Sequence, residues 1–191
     1  ENRRALCLPV ASARPCLFAA MFLLGGTCSA GENAPLDWRE WRRLPAFGEG
    51  RVAPLDTVAR EAVELICGRK DPRLVFGNED RTFASHELLF SWLVEPEKWE
   101  RTPFLIAEDA QLRRDILGLP VVDANHRRLR YASPAEVENN AALGQRWAEL
   151  NRRADIEGKD FRLRGLDKKV KDLVEAYGKY RLLTFQPASS Q

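Results

Sequence analysis

A chain of 191 residues, 45% hydrophobic and 30% charged, is long enough to build one domain around a core. Its 30 Lys and Arg against 28 Asp and Glu leave a formal charge of only +2. A balance this close lacks the dominant basic face that nucleic-acid binding requires, and no nucleic-acid partner is expected.

The first 30 residues read as a leader. Arg3, Arg4 and Arg14 supply positive charge, residues 16–24 (CLFAAMFLL) are unbroken apolar, and Cys28-Ser29-Ala30 places small residues at the exit. These are the three parts of a cleavable secretory signal. The apolar run is about half of the ~20 residues that span a bilayer as a helix. The expected product is exported, to the periplasm or the outer face of the cytoplasmic membrane, and peripheral to it. The leader holds three Arg and one Glu, so residues 31–191 carry 27 positive and 27 negative side chains and are neutral. It also holds three of the four cysteines. Cys67 then has no intrachain partner, and its neighbours Val63, Leu65 and Ile66 predict burial.

Residues 31–36 form an expected linker, 37–185 a single domain, and 186–191 a frayed tail. Asp37 is placed to cap a short helix over 37–43, with Trp38 and Trp41 on one face. Residues 46–55 are rich in turn formers. Asp56 is then expected to cap a helix over 57–67, with Val58, Val63, Leu65 and Ile66 on its apolar side and Gly68 as a left-handed stop. Residues 69–84 predict a loop or weak hairpin around 74–76. A helix opening at Ser85 carries Leu88, Leu89, Trp92 and Leu93 as a stripe and ends near Glu95, because Pro96 disfavours helix before it. Residues 103–107 (PFLIA) are the best strand candidate. A helix over 109–117 follows, stopped by Gly118 and Pro120, then a short strand at 129–131. Ser133-Pro134-Ala135-Glu136 has the form of a capping box, predicting a helix from there to about Arg153. The last helix runs over 166–183, with Leu166, Val170, Leu173, Val174, Tyr177 and Leu182 at helical spacing. The fold class is mainly α with a minor β component: a bundle of short helices with one or two short strands.

Chemistry-bearing patterns are sparse. Beyond the leader there are two His, 40 positions apart, and one Cys, with no CxxC, HExxH or CxxCH spacing. His86 and His126 read as polar residues at a helix start and in a loop. No GxSxG elbow occurs, and Gly48-Glu49-Gly50-Arg51 lacks the rest of a dinucleotide fingerprint. No catalytic, cofactor-binding or metal-binding residue is assigned, and no cofactor is expected. Five tryptophans, at 38, 41, 92, 99 and 147, stand out. Trp92 and Trp147 read as core. Trp38 and Trp41, on a short charged helix, are equally suited to docking.

Leu44-Pro45 followed by Gly50-Arg51-Val52-Ala53-Pro54-Leu55-Asp56-Thr57-Val58-Ala59-Arg60-Glu61 resembles the opening of an extracytoplasmic domain. That domain accompanies CcsA/ResB-type (system II) cytochrome c biogenesis proteins. Corroborating segments are 66–69 (ICGR), 89–93 (LFSWL), 96–99 (PEKW), 117–119 (LGL) and 133–136 (SPAE), so the resemblance spans about 38–185. Ala53 stands where the family more often has a basic residue. The family's Trp-rich motif and membrane histidines have no counterpart here, so none of its haem-binding residues transfers. The resemblance implies a noncatalytic module that docks to a CcsA-type membrane haem-handling protein, or to apocytochrome c. Arg51, Arg60 and Glu61 would make the polar contacts, with Trp38 and Trp41 as further docking candidates; alternatively the stretch is a conformational latch, in which Gly50 permits a tight turn, Pro54 fixes entry to the helix and Asp56 caps it. Two rival readings are an exported helical scaffold unrelated to haem and a secreted hydrolase with an unrecognised acidic site.

Overall fold

The computed structural model describes residues 37–48, 50–158 and 161–184. The expected signal (1–30), linker (31–36) and tail (186–191) lie outside the described residues. Among the described residues the fold is mainly α, with three two-stranded antiparallel pairs as its minor β component. Among the described residues no helix is long and apolar enough to cross a membrane.

Helix α1 (Trp38–Arg43) is capped by Asp37, whose carboxylate accepts from the Arg39 N–H at 2.9 Å. The turn-rich stretch after it forms a hairpin rather than an irregular loop. Strand β1 (Pro45–Gly48) pairs with β2 (Arg51–Pro54), Phe47 opposite Val52 and Pro45 opposite Pro54. Prolines at the two outer ends cost no interior ladder bond, and Gly50 takes the left-handed turn position at φ 77°. Helix α2 (Leu55–Cys67) begins directly at the hairpin's end. Its buried face is Ala59, Ala62, Val63, Ile66 and Cys67. Leu65, expected inside, is exposed, because the small alanines let neighbouring helices close on a face rotated away from it. Gly68 ends the helix at φ 72°.

The weak hairpin is real: β3 (Arg73–Phe76) pairs with β4 (Glu79–Thr82) across Gly77-Asn78. Helix α3 (Ser85–Val94) and a 3₁₀ turn (Pro96–Trp99) follow. Leu88, Leu89 and Trp92 are buried, but Leu93 is exposed. Strand β5 is shorter than expected (Leu105–Ile106), and its partner β6 lies two residues late (Tyr131–Ala132). The segment expected as an ordinary helix over 109–117 widens into π turns at Leu112–Leu117 before Gly118 stops it at φ 68°.

The capping box forms: Glu136 N–H donates to Ser133 Oγ at 3.3 Å, and Ser133 N–H donates to the Glu136 carboxylate at 2.8 Å. The helix it opens does not reach Arg153 unbroken. Helix α4 (Pro134–Glu138) stops, and α5 (Ala141–Glu157) restarts from Asn140, whose side chain accepts from the Leu143 N–H at 2.8 Å. An asparagine side chain competes with backbone acceptors and favours a cap over a helix interior. Helix α6 spans Leu166–Leu183 as expected, with Val170, Leu173, Ala176 and Tyr180 buried and Leu182 exposed.

One contiguous core joins these elements. Its centre is aromatic: Trp92 lies 5.0 Å from Phe104 and 5.7 Å from Tyr180, and Trp99 stacks on Phe76 at 4.6 Å. Trp99 Nε1 donates to Ser91 Oγ at 2.8 Å. Cys67 is buried and free, and burial pushes its thiol well up, away from the reactive thiolate.

Candidate functional site

The residues that carry the family resemblance converge on one face, made by α1, the β1–β2 hairpin and the first turns of α2. Trp38 and Trp41 contact each other edge to face at 5.7 Å, and both meet Phe90 of α3, at 5.6 and 5.8 Å. Trp38 also meets the His86 ring at 5.1 Å. Both indoles are half-buried. They fasten α1 to α3, and each stays partly exposed.

Asp56 is not a helix cap. Pro54 holds the cap position, and Asp56 sits one residue inside the first turn. Its carboxylate accepts from Arg42 Nε at 2.9 Å and Nη2 at 3.3 Å, and from Arg60 Nη2 at 3.0 Å. It therefore ties α1 to α2, and its charge complements the helix N-terminus. His86 Nδ1 lies 3.8 Å from Asp56 Oδ1, beyond hydrogen-bond reach. Burial first, then the Arg42 charge, lowers the His86 pKa, outweighing Asp56, so the imidazole is neutral at pH 7.

Arg51 and Glu61 pair with each other across the hairpin and helix, and Arg60 pairs with Asp56. The three polar docking candidates thus serve internal contacts first. Pro54 (φ −55°, ψ 140°) turns the strand into the helix, and Gly50 supplies the turn with nothing within 4 Å of where a Cβ would stand. Gly48 is tighter: a Cβ there would meet both Val58 methyls at 3.2 Å, so this hairpin lies close on α2.

What the face offers outward is apolar. Phe47 is 75% exposed, Val52 70% and Leu44 51%. Phe47 and Val52 are cross-strand partners and share the outer face, while Ala53, on the opposite side of the strand, is buried. Composition alone did not single out Phe47 and Val52. The available signal was one apolar residue on each side of the Gly48–Arg51 turn. Adjacent exposed side chains of this kind mark interaction sites more often than scattered single ones do.

Among the described residues no group of three or more His, Cys, Asp or Glu is placed to hold a metal ion. Comparison with protein-family models finds none that matches the chain, and comparison with curated proteins finds no match. The family resemblance accordingly stands on the quoted residues alone.

Proposed function

We propose that this chain is a noncatalytic extracytoplasmic docking module that supports c-type cytochrome maturation beside a CcsA-type membrane partner. The observation that carries the docking role is the exposed Phe47–Val52 pair on the hairpin that leads into the GRVxPLDTxARE stretch. The identity of the partner rests on the resemblance of that stretch. Burying one such side chain at an interface is worth about 1.5–3 kcal/mol before the costs of association. The charged pairs around it, Arg51–Glu61 and Arg60–Asp56, would form a polar rim that fixes orientation more than affinity.

Deletion of the gene in the source organism, followed by haem staining of c-type cytochromes, tests this reading. Loss of the stained bands and their return with the parent gene are expected. The variant Phe47→Ser/Val52→Ser should accumulate normally yet fail to restore them. Unchanged bands in the deletion strain would remove the cytochrome role and leave an exported scaffold as the reading. Full restoration by the double variant would remove the hairpin from the contact.

A further inference from the structure

A second region, away from the hairpin face, has the chemistry of a ligand site. A half-open cleft of about 570 Å³ lies between β3, the π turn and the 119–131 segment. That volume is in the range of small-molecule sites. Leu74, Leu119, Leu129 and Tyr131 give it an apolar lining. Its rim carries Arg69, Arg127, Arg128 and Arg130, all exposed, and none makes an ion pair or side-chain hydrogen bond among the described residues. The two carboxylates that line the cleft are already engaged: Asp80 accepts from Arg73 at 2.9 and 3.0 Å, and Glu136 accepts from Ser133 in the capping box.

Arg113 adds the observation that makes this more than a charged surface. It lines the same cleft and is only 3% exposed. Its Nε donates to Pro120 O at 2.7 Å, and Nη1 donates to Tyr131 O at 2.8 Å and Ala107 O at 3.2 Å. The remaining nitrogen, Nη2, has no protein acceptor among the described residues. No carboxylate hydrogen-bonds this cation; burial lowers its pKa, and the charge of Glu136, which also lines the cleft, opposes that fall only in part. A buried guanidinium that bonds only carbonyls, with one carboxylate acting on it but not paired to it, is incompletely compensated. An anion reaching Nη2 would complete that compensation.

From these features the structure assigns the cleft to a small amphipathic anion: an apolar body that covers the leucine and tyrosine lining, with at least two carboxylate or phosphate groups. One anionic group would meet Arg113 Nη2, and the other would be met by the rim arginines, whose planar forks suit such groups. The inference is independent of the hairpin and of the cytochrome reading.

The test uses the full chain and the rigid probe naphthalene-2,6-dicarboxylate, with 2-naphthoate as its single-anion counterpart, in calorimetric titrations at low salt. One equivalent of the dicarboxylate should bind, at least tenfold more tightly than 2-naphthoate. Arg113→Gln is the obvious variant, but it breaks three backbone contacts and is expected to unfold the region. The informative variant is Arg128→Gln/Arg130→Gln, whose side chains are exposed and make no ion pair or side-chain hydrogen bond among the described residues, though they also border a second pocket with Glu108 and Asp109. It should keep its melting temperature and lose at least tenfold in affinity for the dicarboxylate. No binding of the dicarboxylate, equal affinity for the two probes, or unaltered affinity in the double variant would overturn the assignment.

Discussion

Asp56 gives the sharpest quantitative test of how the α1–hairpin–α2 face is held. If it were a helix cap, serine would replace it at almost no cost, since serine and aspartate are near-equivalent caps. The structure makes it the acceptor for Arg42 and Arg60 instead, with its own side chain 19% exposed and theirs 40% and 52% exposed. Partly exposed pairs are each worth up to about 1 kcal/mol after screening, and the helix-dipole contribution of a first-turn carboxylate is about 0.3–1 kcal/mol. Asp56→Ser should therefore destabilise the domain by about 2 kcal/mol, a fall in Tm of about 4–8 °C for a domain of this size. Urea denaturation and a thermal melt, each followed by tryptophan emission, read the two effects. Because Trp38 and Trp41 are held by the helix that Arg42 anchors, the native emission of the variant should also shift to the red. A double-mutant cycle with Arg42→Ala should give a coupling of at least 0.5 kcal/mol. Stability within 0.5 kcal/mol of the parent for Asp56→Ser, with a loss only for Asp56→Ala, would refute the ion-pair account and restore the cap.

Two glycines with similar φ should respond differently to alanine. Gly68→Ala adds a Cβ 3.0 Å from Ile106 Cδ1 to the left-handed strain, whereas Gly50→Ala meets nothing within 4 Å; thermal melts should rank Gly68→Ala lower by about 1 kcal/mol. Arg181, 12% exposed at its side chain, bridges Glu100 at 3.2 Å and Glu138 at 3.1 Å, so Arg181→Met should cost about 3 kcal/mol in urea denaturation at pH 7. Burial already raises the Glu100 pKa and Arg181 opposes that rise, so the variant should recover part of the loss as pH falls and Glu100 takes up a proton. His86 has its pKa lowered from the ordinary 6.5 by burial and by Arg42. The unfolded chain then binds the extra proton first, so this contribution is intact above pH 6.5 and is lost as pH falls below it toward the lower folded value. His86→Gln should flatten the stability profile in that window, as read by denaturant midpoints at half-unit pH steps.

The parts of the fold that were legible are those decided by neighbours in the chain. The spacing from Leu166 to Leu183 fixed α6 at both ends, the Ser133–Glu136 box formed, and Gly68 stopped α2 in the left-handed region. What was not legible depends on contacts far along the chain. Asn140 interrupts a helix because its side chain caps α5 and also donates to Leu117 O at 3.2 Å, 23 residues away. Arg113 is buried among carbonyls from three separate segments, which no local pattern announces in a run such as Leu112-Arg113-Arg114. Leu65 and Leu93 sat on plausible apolar stripes, and lie outside because the core closed on the alanine side of α2 and on Leu88, Leu89 and Trp92.

For the candidate site the same division has a functional consequence. In the sequence this stretch stands out, and its residues suggest roles by type: charged side chains and tryptophans for docking, Gly50, Pro54 and Asp56 for shape. Register adds two residues that type alone does not suggest. A period of two in β2 sends Ala53 inward and Val52 outward, and the ladder sets Phe47 beside Val52. The charges pair with one another at a partly exposed surface, Asp56 between Arg42 and Arg60, and Arg51 with Glu61. In this arrangement the polar residues of the motif tie helix to helix and hairpin to helix, and the apolar pair stays exposed. The two roles should separate on substitution. Arg51→Ala and Arg60→Ala should loosen the frame and lower stability modestly, by up to about 1 kcal/mol each for pairs this exposed. Phe47→Ser and Val52→Ser should leave the melting temperature nearly unchanged and remove the docking proposed for this face.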